Sequence, residues 1–213
     1  MGTKKLIKIF FPAFFIFTSL SLHGIDSIGA MGGIMYTGNS SDDGAPSPIL
    51  PFIGAAGSFT IKDNIFIEPS IVMTANYYLW SEEEDMALPA EIEYADSVLL
   101  LSIFIDSPYV MKYKIKENID WGWLASPLLV LRVPLKTWGK GESQRADILS
   151  YFYGGRFLFL EAGGLIEWNY SPHRSFKGRL DLLFPLYHLW DGGVMTDQLS
   201  VRLGFIFSFK LME

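Results

Sequence analysis

The sequence predicts an all-β fold, an eight-stranded antiparallel up-and-down transmembrane β-barrel built from residues 25–213. Three observations carry this prediction: segments that alternate apolar and polar residues, short polar breaks at nearly even spacing, and aromatic residues near the segment ends. The alternation is clearest in residues 201–211 (VRLGFIFSFKL), where every second side chain from Val201 to Phe209 is apolar. Successive side chains of a strand point to opposite faces, so this strand has one apolar face and one face of mostly small or charged residues. Such strands separate lipid from a polar lumen.

Residues 1–24 have the layout of a secretory signal peptide. The basic segment contains Lys4, Lys5 and Lys8. An apolar run over residues 9–22 follows, and small residues suited to cleavage lie between Ser21 and Gly24. The alternative is an uncleaved N-terminal anchor, for which the run is short, since a spanning helix needs about 20 residues. The sequence therefore predicts export, with cleavage between Ser21 and Gly24.

The amino-acid composition argues against nucleic acid as a partner and excludes disulfide bonds and lipid attachment to cysteine. The chain carries 17 Lys and Arg against 23 Asp and Glu, which argues against nucleic acid as a partner. It has no Cys, so neither a disulfide nor a lipid-bearing cysteine is available. Half of the residues are hydrophobic and the mean hydropathy is +0.25. After residue 24 these apolar residues are spread over short segments, which suits a barrel whose outer face meets lipid.

Polar breaks divide the chain into hairpins. Short breaks lie at residues 62–64, 116–118 and 171–174, and longer polar stretches lie at 39–48, 81–91, 134–147 and 191–198. Short turns that alternate with long loops are typical of outer-membrane barrels, with the turns in the periplasm and the loops outside. The predicted strands are 25–38, 49–61, 65–80, 92–115, 119–133, 148–170, 176–190 and 199–211.

Charged residues recur at the inward positions of these strands. They are Glu68, Asp96, Asp106, Arg132, Glu161, Glu167, Lys177, Arg179, Asp181 and Arg202. An eight-stranded barrel is just wide enough for its own side chains, and buried charges must be paired. One interpretation is thus an ion-pair network that plugs the lumen, and the other is a polar pathway for small ions or solutes. Several apolar residues share the inward parity and would serve as a hydrophobic ligand site or as core: Val98, Leu100, Phe104, Leu124, Leu128 and Val130.

Aromatic residues lie where both lipid–water boundaries of a bilayer would be. Toward the predicted loop ends lie Tyr36, Tyr77, Trp80, Tyr151 and Trp190, and toward the turn ends lie Tyr113, Trp121, Trp123, Trp168 and Tyr170. Amphipathic rings settle at such interfaces. The alternative, the core of a soluble β-sandwich, gives no reason for clustering at strand ends.

On this pattern the chain resembles the small eight-stranded outer-membrane barrels of the OmpW, OmpX and OmpA-barrel type. The resemblance covers residues 25–213 as a pattern rather than as a specific motif. It implies the outer membrane of a diderm bacterium, a lipid-bilayer environment, and recognition of the last strand by the barrel-assembly machinery. One departure is the C-terminus, because family members usually end on an aromatic residue whereas this chain continues beyond Phe209 for four more residues.

The resemblance leaves two functions open. An OmpW-like barrel would pass or bind small or hydrophobic solutes, including a small hydrophobic ligand held by the barrel. The alternative is a closed structural or surface-interaction barrel of the OmpX or OmpA-barrel type that acts through its extracellular loops. A soluble lipocalin-like binding barrel is a third possibility, which would need no detergent.

No catalytic, cofactor or metal site is predicted, so the chain is not expected to be an enzyme. His188 is placed similarly to the base of the lipid A deacylase barrels, but two positions later this chain has Trp190 where those enzymes carry a Ser nucleophile. His173 is expected in a solvated turn. The acidic run at residues 82–85 is interpreted as a solvated loop.

Overall fold

The computed structural model describes residues 24–38, 49–90, 96–191 and 198–211, so the predicted signal peptide, except for its last residue Gly24, lies outside the described residues. The strands are β1 (Ser27–Thr37), β2 (Ile49–Lys62), β3 (Ile65–Ile67), β4 (Ser70–Ser81), β5 (Met86–Ala90), β6 (Val98–Asp106), β7 (Tyr109–Lys116), β8 (Ile119–Thr137), β9 (Leu158–Ser171), β10 (Arg174–Pro185) and β11 (Ser200–Lys210). The helices are α1 (Gly141–Tyr153) and α2 (His188–Asp191). Neither helix is long and apolar enough to span a bilayer.

The ring contains eight barrel strands, two of which are interrupted. β3 and β4 follow each other along β2, with a break at Pro69, and β6 and β7 together form the next strand, with a break at Pro108. β5 is an additional short strand that pairs with residues 77–81 of β4 on the edge opposite to β6, the edge that faces β2. Proline has no N–H to donate to a strand ladder, which accounts for both breaks. All neighbours pair antiparallel, and β1 pairs with β11 to close the ring. The predicted eight-stranded up-and-down barrel is confirmed.

The alternation of burial matches the predicted faces. In β11, Arg202 and Ile206 are buried while Leu203 and Phe205 are exposed. β4, β6 and β10 alternate in the same way. The exposed set of the strands is dominated by large apolar side chains, which is the outer surface that lipid requires.

One end of the barrel carries the short turns and the other carries the longer connections. The turn end holds the three predicted turns, the start of β1 and the end of β11, as the bounds of the strands show. The loop end holds the β4–β5 connection, α1 and α2. Both ends of the described chain therefore lie at the turn end.

The sixth and seventh predicted strands were wrong at the loop end. Residues 148–153 belong to helix α1 rather than to a strand, and β9 begins only at Leu158. The buried residues Ile148, Tyr151 and Phe152 follow helical spacing, with one face inward. The seventh strand stops at Pro185 instead of residue 190, because a proline cannot continue the hydrogen-bonded ladder, and the short helix α2 follows.

Candidate functional site: a filled lumen and a slot in the wall

Four charged side chains cross the lumen near the turn end. Lys112 Nζ lies 2.6 Å from Glu68 Oε1 and 2.7 Å from Glu167 Oε2, and Lys177 Nζ lies 2.5 Å from Glu68 Oε2. The four residues, which we call the lower cluster, come from four different barrel strands and are all buried. Its two acids and two bases balance, so the cluster both fills the lumen and ties its walls together.

A second cluster, which we call the central cluster, fills the middle of the lumen. It contains Asp106, Glu161, Arg179, Asp181 and Arg202. Arg202 pairs with Asp181 at 2.9 Å, with Asp106 at 3.3 Å and with Glu161. Arg179 pairs with Glu161 at 2.5 Å and with Asp181 at 2.8 Å. Three carboxylates thus surround two guanidinium groups, all without solvent contact at the paired side chains.

The structure brings together eight of the ten predicted lumen charges in these two clusters. Arg132 lies apart from them, closer to the loop end, where it lines a small pocket with Thr74 and Asn76. Asp96 is not in the lumen network: it precedes β6, and its carboxylate accepts a hydrogen bond of 2.8 Å from the Lys140 amide. The parity argument failed for Asp96 because β6 begins only at Val98. It omitted Lys112, which shares the inward parity of its strand and could have been found by the same argument.

The inward apolar residues form core rather than an open apolar cavity. Phe104, Leu128 and Val130 pack with Met31 and Ile206 in one buried cluster. Leu124 belongs to a separate buried cluster with Val110 and Leu165. Val98 and Leu100 form a third cluster with residues of α1. The lumen therefore alternates layers of charge and layers of hydrocarbon.

Helix α1 covers the loop end of the barrel. Its residues Ile148, Tyr151 and Phe152 pack on Val98 and Leu100, which face the lumen from β6. The guanidinium of Arg132 lies 3.9 Å from the centroid of the Phe152 ring, and its Nη1 donates to the Arg156 carbonyl at 3.1 Å. The Tyr153 hydroxyl donates to the Arg132 carbonyl. The helix is thus fixed to the inner wall by both apolar and polar contacts.

The turn end of the barrel opens into a cavity that does not continue along the lumen. A polar cavity of about 460 Å³ faces that end and is lined by residues that include Asp26, Asp120, Asn169, Lys112 and Glu167. Lys112 and Glu167 are members of the lower cluster, so the cavity ends at the first layer of ion pairs. A polar solute that enters this cavity is therefore stopped by the ion pairs of the lower cluster.

The predicted interface aromatics divide into two groups. Most have exposed rings on the outer surface: Tyr36, Tyr113, Trp121, Trp123, Trp168, Tyr170 and Trp190. Tyr77 and Trp80 are half-buried at the loop end. The prediction for Tyr151 was wrong, because this residue is buried on the inner side of helix α1. Tyr77 contacts Trp138, with centroids 5.3 Å apart, and Trp80 contacts Tyr151 of α1 at 6.2 Å.

The histidines of the barrel sit in different surroundings. His173 is exposed in a turn, as expected. His188 is buried in α2, with its ring 4.5 Å from that of Tyr187. Within the described residues no three His, Cys, Asp or Glu side chains are grouped so that they could hold a metal ion.

The wall of the barrel is parted between β2 and β4. These strands pair only from Ile53 to Ala56, and in the described structure residues 49–52 of β2 have no pairing partner in β4. Pro51 has no N–H for such a ladder, and the Thr74 hydroxyl instead donates to the Pro51 carbonyl at 2.8 Å. On the outer face this parting forms a groove of about 320 Å³, which we call the slot. The slot is lined by Pro51, Phe52, Ile53, Met73, Ala75 and Leu101, with Thr74 as its polar member.

A small polar pocket lies on the lumen side of the same parting. It has a volume of about 20 Å³, and Thr74 lines both this pocket and the slot. Asn76, Ser102 and Arg132 also line it. Because Thr74 pairs with Ser102, and Ser102 with Arg132, these polar side chains lie side by side on three neighbouring strands. The slot and this polar pocket together are the candidate site.

Comparison with known proteins identifies the fold. No protein-family model and no curated protein matches the sequence. Among solved structures, the chain is similar to Neisserial surface protein A, at 11% identity and a TM-score of 0.55, over 89% of this chain and all of that one. It is also similar to Ail, the attachment invasion locus protein of Yersinia pestis, at 9% identity and a TM-score of 0.46, over 89% of this chain and 99% of that one. The architecture is that of the eight-stranded outer-membrane barrels.

Proposed function

We propose that this chain is an outer-membrane barrel that binds a small hydrophobic molecule laterally, through the slot between β2 and β4, and does not conduct solutes along its axis. Export by residues 1–24, insertion of β11 by the barrel-assembly machinery and a lipid-bilayer environment belong to the same proposal. The observation that carries it is the slot itself, an apolar opening in the lipid-facing wall in a barrel whose lumen is filled.

Two features support lateral rather than axial access. The lower and central clusters occupy the lumen with buried ion pairs, whose disruption would leave charges unpaired at a cost of several kcal/mol. The slot, by contrast, opens on a face where a hydrophobic molecule dissolved in the bilayer is already present. An OmpW-like function is retained in this form, as binding at the wall.

A second candidate is the closed surface-interaction barrel. It is favoured by α1, which fills the loop end and presents its outer side to the medium, with Glu142, Arg145 and Asp147 exposed. In that case the loop end alone would meet a partner, and the slot would have no occupant beyond bulk lipid. The two candidates share a sealed lumen and differ at the slot.

We expect the refolded barrel to give no discrete conductance steps in planar bilayers, because two layers of ion pairs block the axis. Single-channel recording measures this directly, with a known porin added to the same bilayer as a positive control. Regular channel events from the barrel alone would contradict the proposed sealed lumen.

We expect a photoreactive diazirine analogue of oleyl alcohol to label β2 and β4 at the slot more strongly than the rest of the lipid face. Ala75→Trp should remove most of this label, because the indole fills the slot, and Ala30→Trp is the matched control on the exposed face of β1. Peptide mapping by mass spectrometry gives the readout. Even labelling around the barrel, unaffected by Ala75→Trp, would leave the surface-interaction barrel as the function.

A further inference from the structure

We infer that the ligand of the slot is a single-chain amphiphile with a carboxylate head, whose chain lies in the slot and whose head reaches Asn76 and Arg132. This inference rests on the proposed function and names the class of its ligand. The chemistry of the polar pocket supports this inference, because the apolar slot alone does not specify a head group.

Among the described residues, Arg132 is a buried cation without a carboxylate counter-ion. The residue is 5% exposed, and no carboxylate in the described ranges forms an ion pair with it. The Phe152 ring and the Arg156 carbonyl contact the guanidinium, but neither carries a negative charge. A buried charge normally requires a charged partner. Within the part of the chain that the structure describes, an anion is therefore the complement missing at this position.

The unused hydrogen-bond groups of the pocket are donors. Arg132 Nε and Asn76 Nδ2 are both buried, and neither has a hydrogen-bond partner in the described structure. Both residues line the polar pocket. An N–H donor is satisfied by an acceptor oxygen, and a carboxylate offers two such oxygens in the plane that a guanidinium matches. The donors thus select an anionic oxygen head over an ammonium head.

The size of the pocket limits the head group. About 20 Å³ is little more than the space that one water molecule occupies by the same measure. A carboxylate fits such a space with small side-chain adjustments, whereas a sugar or a phosphodiester with its substituents does not. The chain would remain outside, in the 320 Å³ slot, whose lining is apolar apart from Thr74.

Thr74 lies at the point where head and chain would meet. Its hydroxyl crosses the parting to the Pro51 carbonyl, and it lines both cavities. This contact is a side-chain bond rather than a rung of the strand ladder, so breaking it leaves the pairing from Ile53 to Ala56 intact. The released hydroxyl can donate to the incoming carboxylate, which replaces the bond that was lost.

The test compares photoreactive analogues of oleic acid and oleyl alcohol on the full chain in detergent at alkaline pH, where the acid is ionised. We expect the acid to label the slot roughly tenfold more efficiently than the alcohol, since hydrogen bonds to charged groups are the stronger class. Arg132→Met should bring the ratio of acid to alcohol labelling close to one while labelling by the alcohol persists. Arg156→Met is the matched control, because that guanidinium stacks on Tyr151 of α1 and does not line the pocket.

The outcomes separate this inference from the function on which it rests. If acid and alcohol label the slot equally, or if Arg132→Met keeps the preference for the acid, the head-group site is wrong and the slot remains a hydrophobic site. If neither probe labels the slot above the rest of the lipid face, the proposed function itself fails. Heat-modifiable gel mobility checks folding, and if Arg132→Met does not fold, Asn76→Leu decides the question through a several-fold fall in the same ratio.

Discussion

Arg202→Met is expected to lower the free energy of unfolding of the barrel by about 3–5 kcal/mol, the cost of removing one partner from a buried ion pair. Arg202 contacts three carboxylates, Asp106, Glu161 and Asp181, and has no solvent contact. Without its guanidinium, Glu161 and Asp181 keep only Arg179, and Asp106 keeps no ion-pair partner among the described residues, so negative charge is left buried and uncompensated. Urea unfolding in detergent, followed by tryptophan fluorescence and by heat-modifiable gel mobility, measures the change.

Two further variants serve as controls for the Arg202→Met measurement. Arg174→Met removes a guanidinium from the exposed start of β10 and should change stability by no more than about 1 kcal/mol, as for surface charges in general. Arg202→Met combined with Asp181→Asn removes one charge of each sign, so it should recover part of the loss. If Arg202→Met and Arg174→Met unfold at the same urea concentration, the central cluster does not hold the barrel together.

The turn end of the barrel could be predicted from the sequence because its signals are local. Polar breaks at residues 62–64, 116–118 and 171–174 fall where β2, β7 and β9 end. The alternation of small or charged with apolar residues identified the lumen face of β10 and β11 for the same reason. Each strand lies between lipid and a polar interior, so the period-two pattern within that one strand is enough to assign its two faces. Charged residues such as Arg179 and Arg202 were therefore found, although their partners were not.

The loop end and the slot could not be predicted in this way. Residues 148–153 are apolar enough to be taken for a strand, and only the burial of Ile148, Tyr151 and Phe152 on one side of α1 shows a helical face. The slot depends on how far β2 and β4 remain paired, a property of register between strands that alternation within one strand does not contain. Pro51 was a usable signal, because a proline in an otherwise regular strand indicates a missing ladder bond. Likewise, the pairing partners within the lumen depend on how the strands stagger around the ring.

Gly33→Ala is expected to destabilise the barrel by about 3 kcal/mol, at the upper end of the cost of overpacking. Gly33 pairs with Gly204 across β1 and β11, the contact that closes the ring. A Cβ at position 33 would lie 2.0 Å from the Leu203 carbonyl oxygen and 2.8 Å from Phe52 Cζ. The first of these atoms is backbone, so relief requires the closing strands to move apart. Urea unfolding and the heat shift on gels report the loss.

Gly178→Ala provides the matched comparison within the same sheet. Gly178 lies in β10 and faces Phe205 of β11 in the register, but a Cβ added there meets nothing within 4 Å. This variant should therefore be neutral, or gain up to about 1 kcal/mol because alanine loses less conformational entropy than glycine on folding. Both changes add one methyl group to a barrel strand, so a large difference isolates the close approach of β1 to β11. Equal stability of the two variants would mean that β1 and β11 can accommodate a Cβ at position 33, which would contradict the close approach described for Gly33.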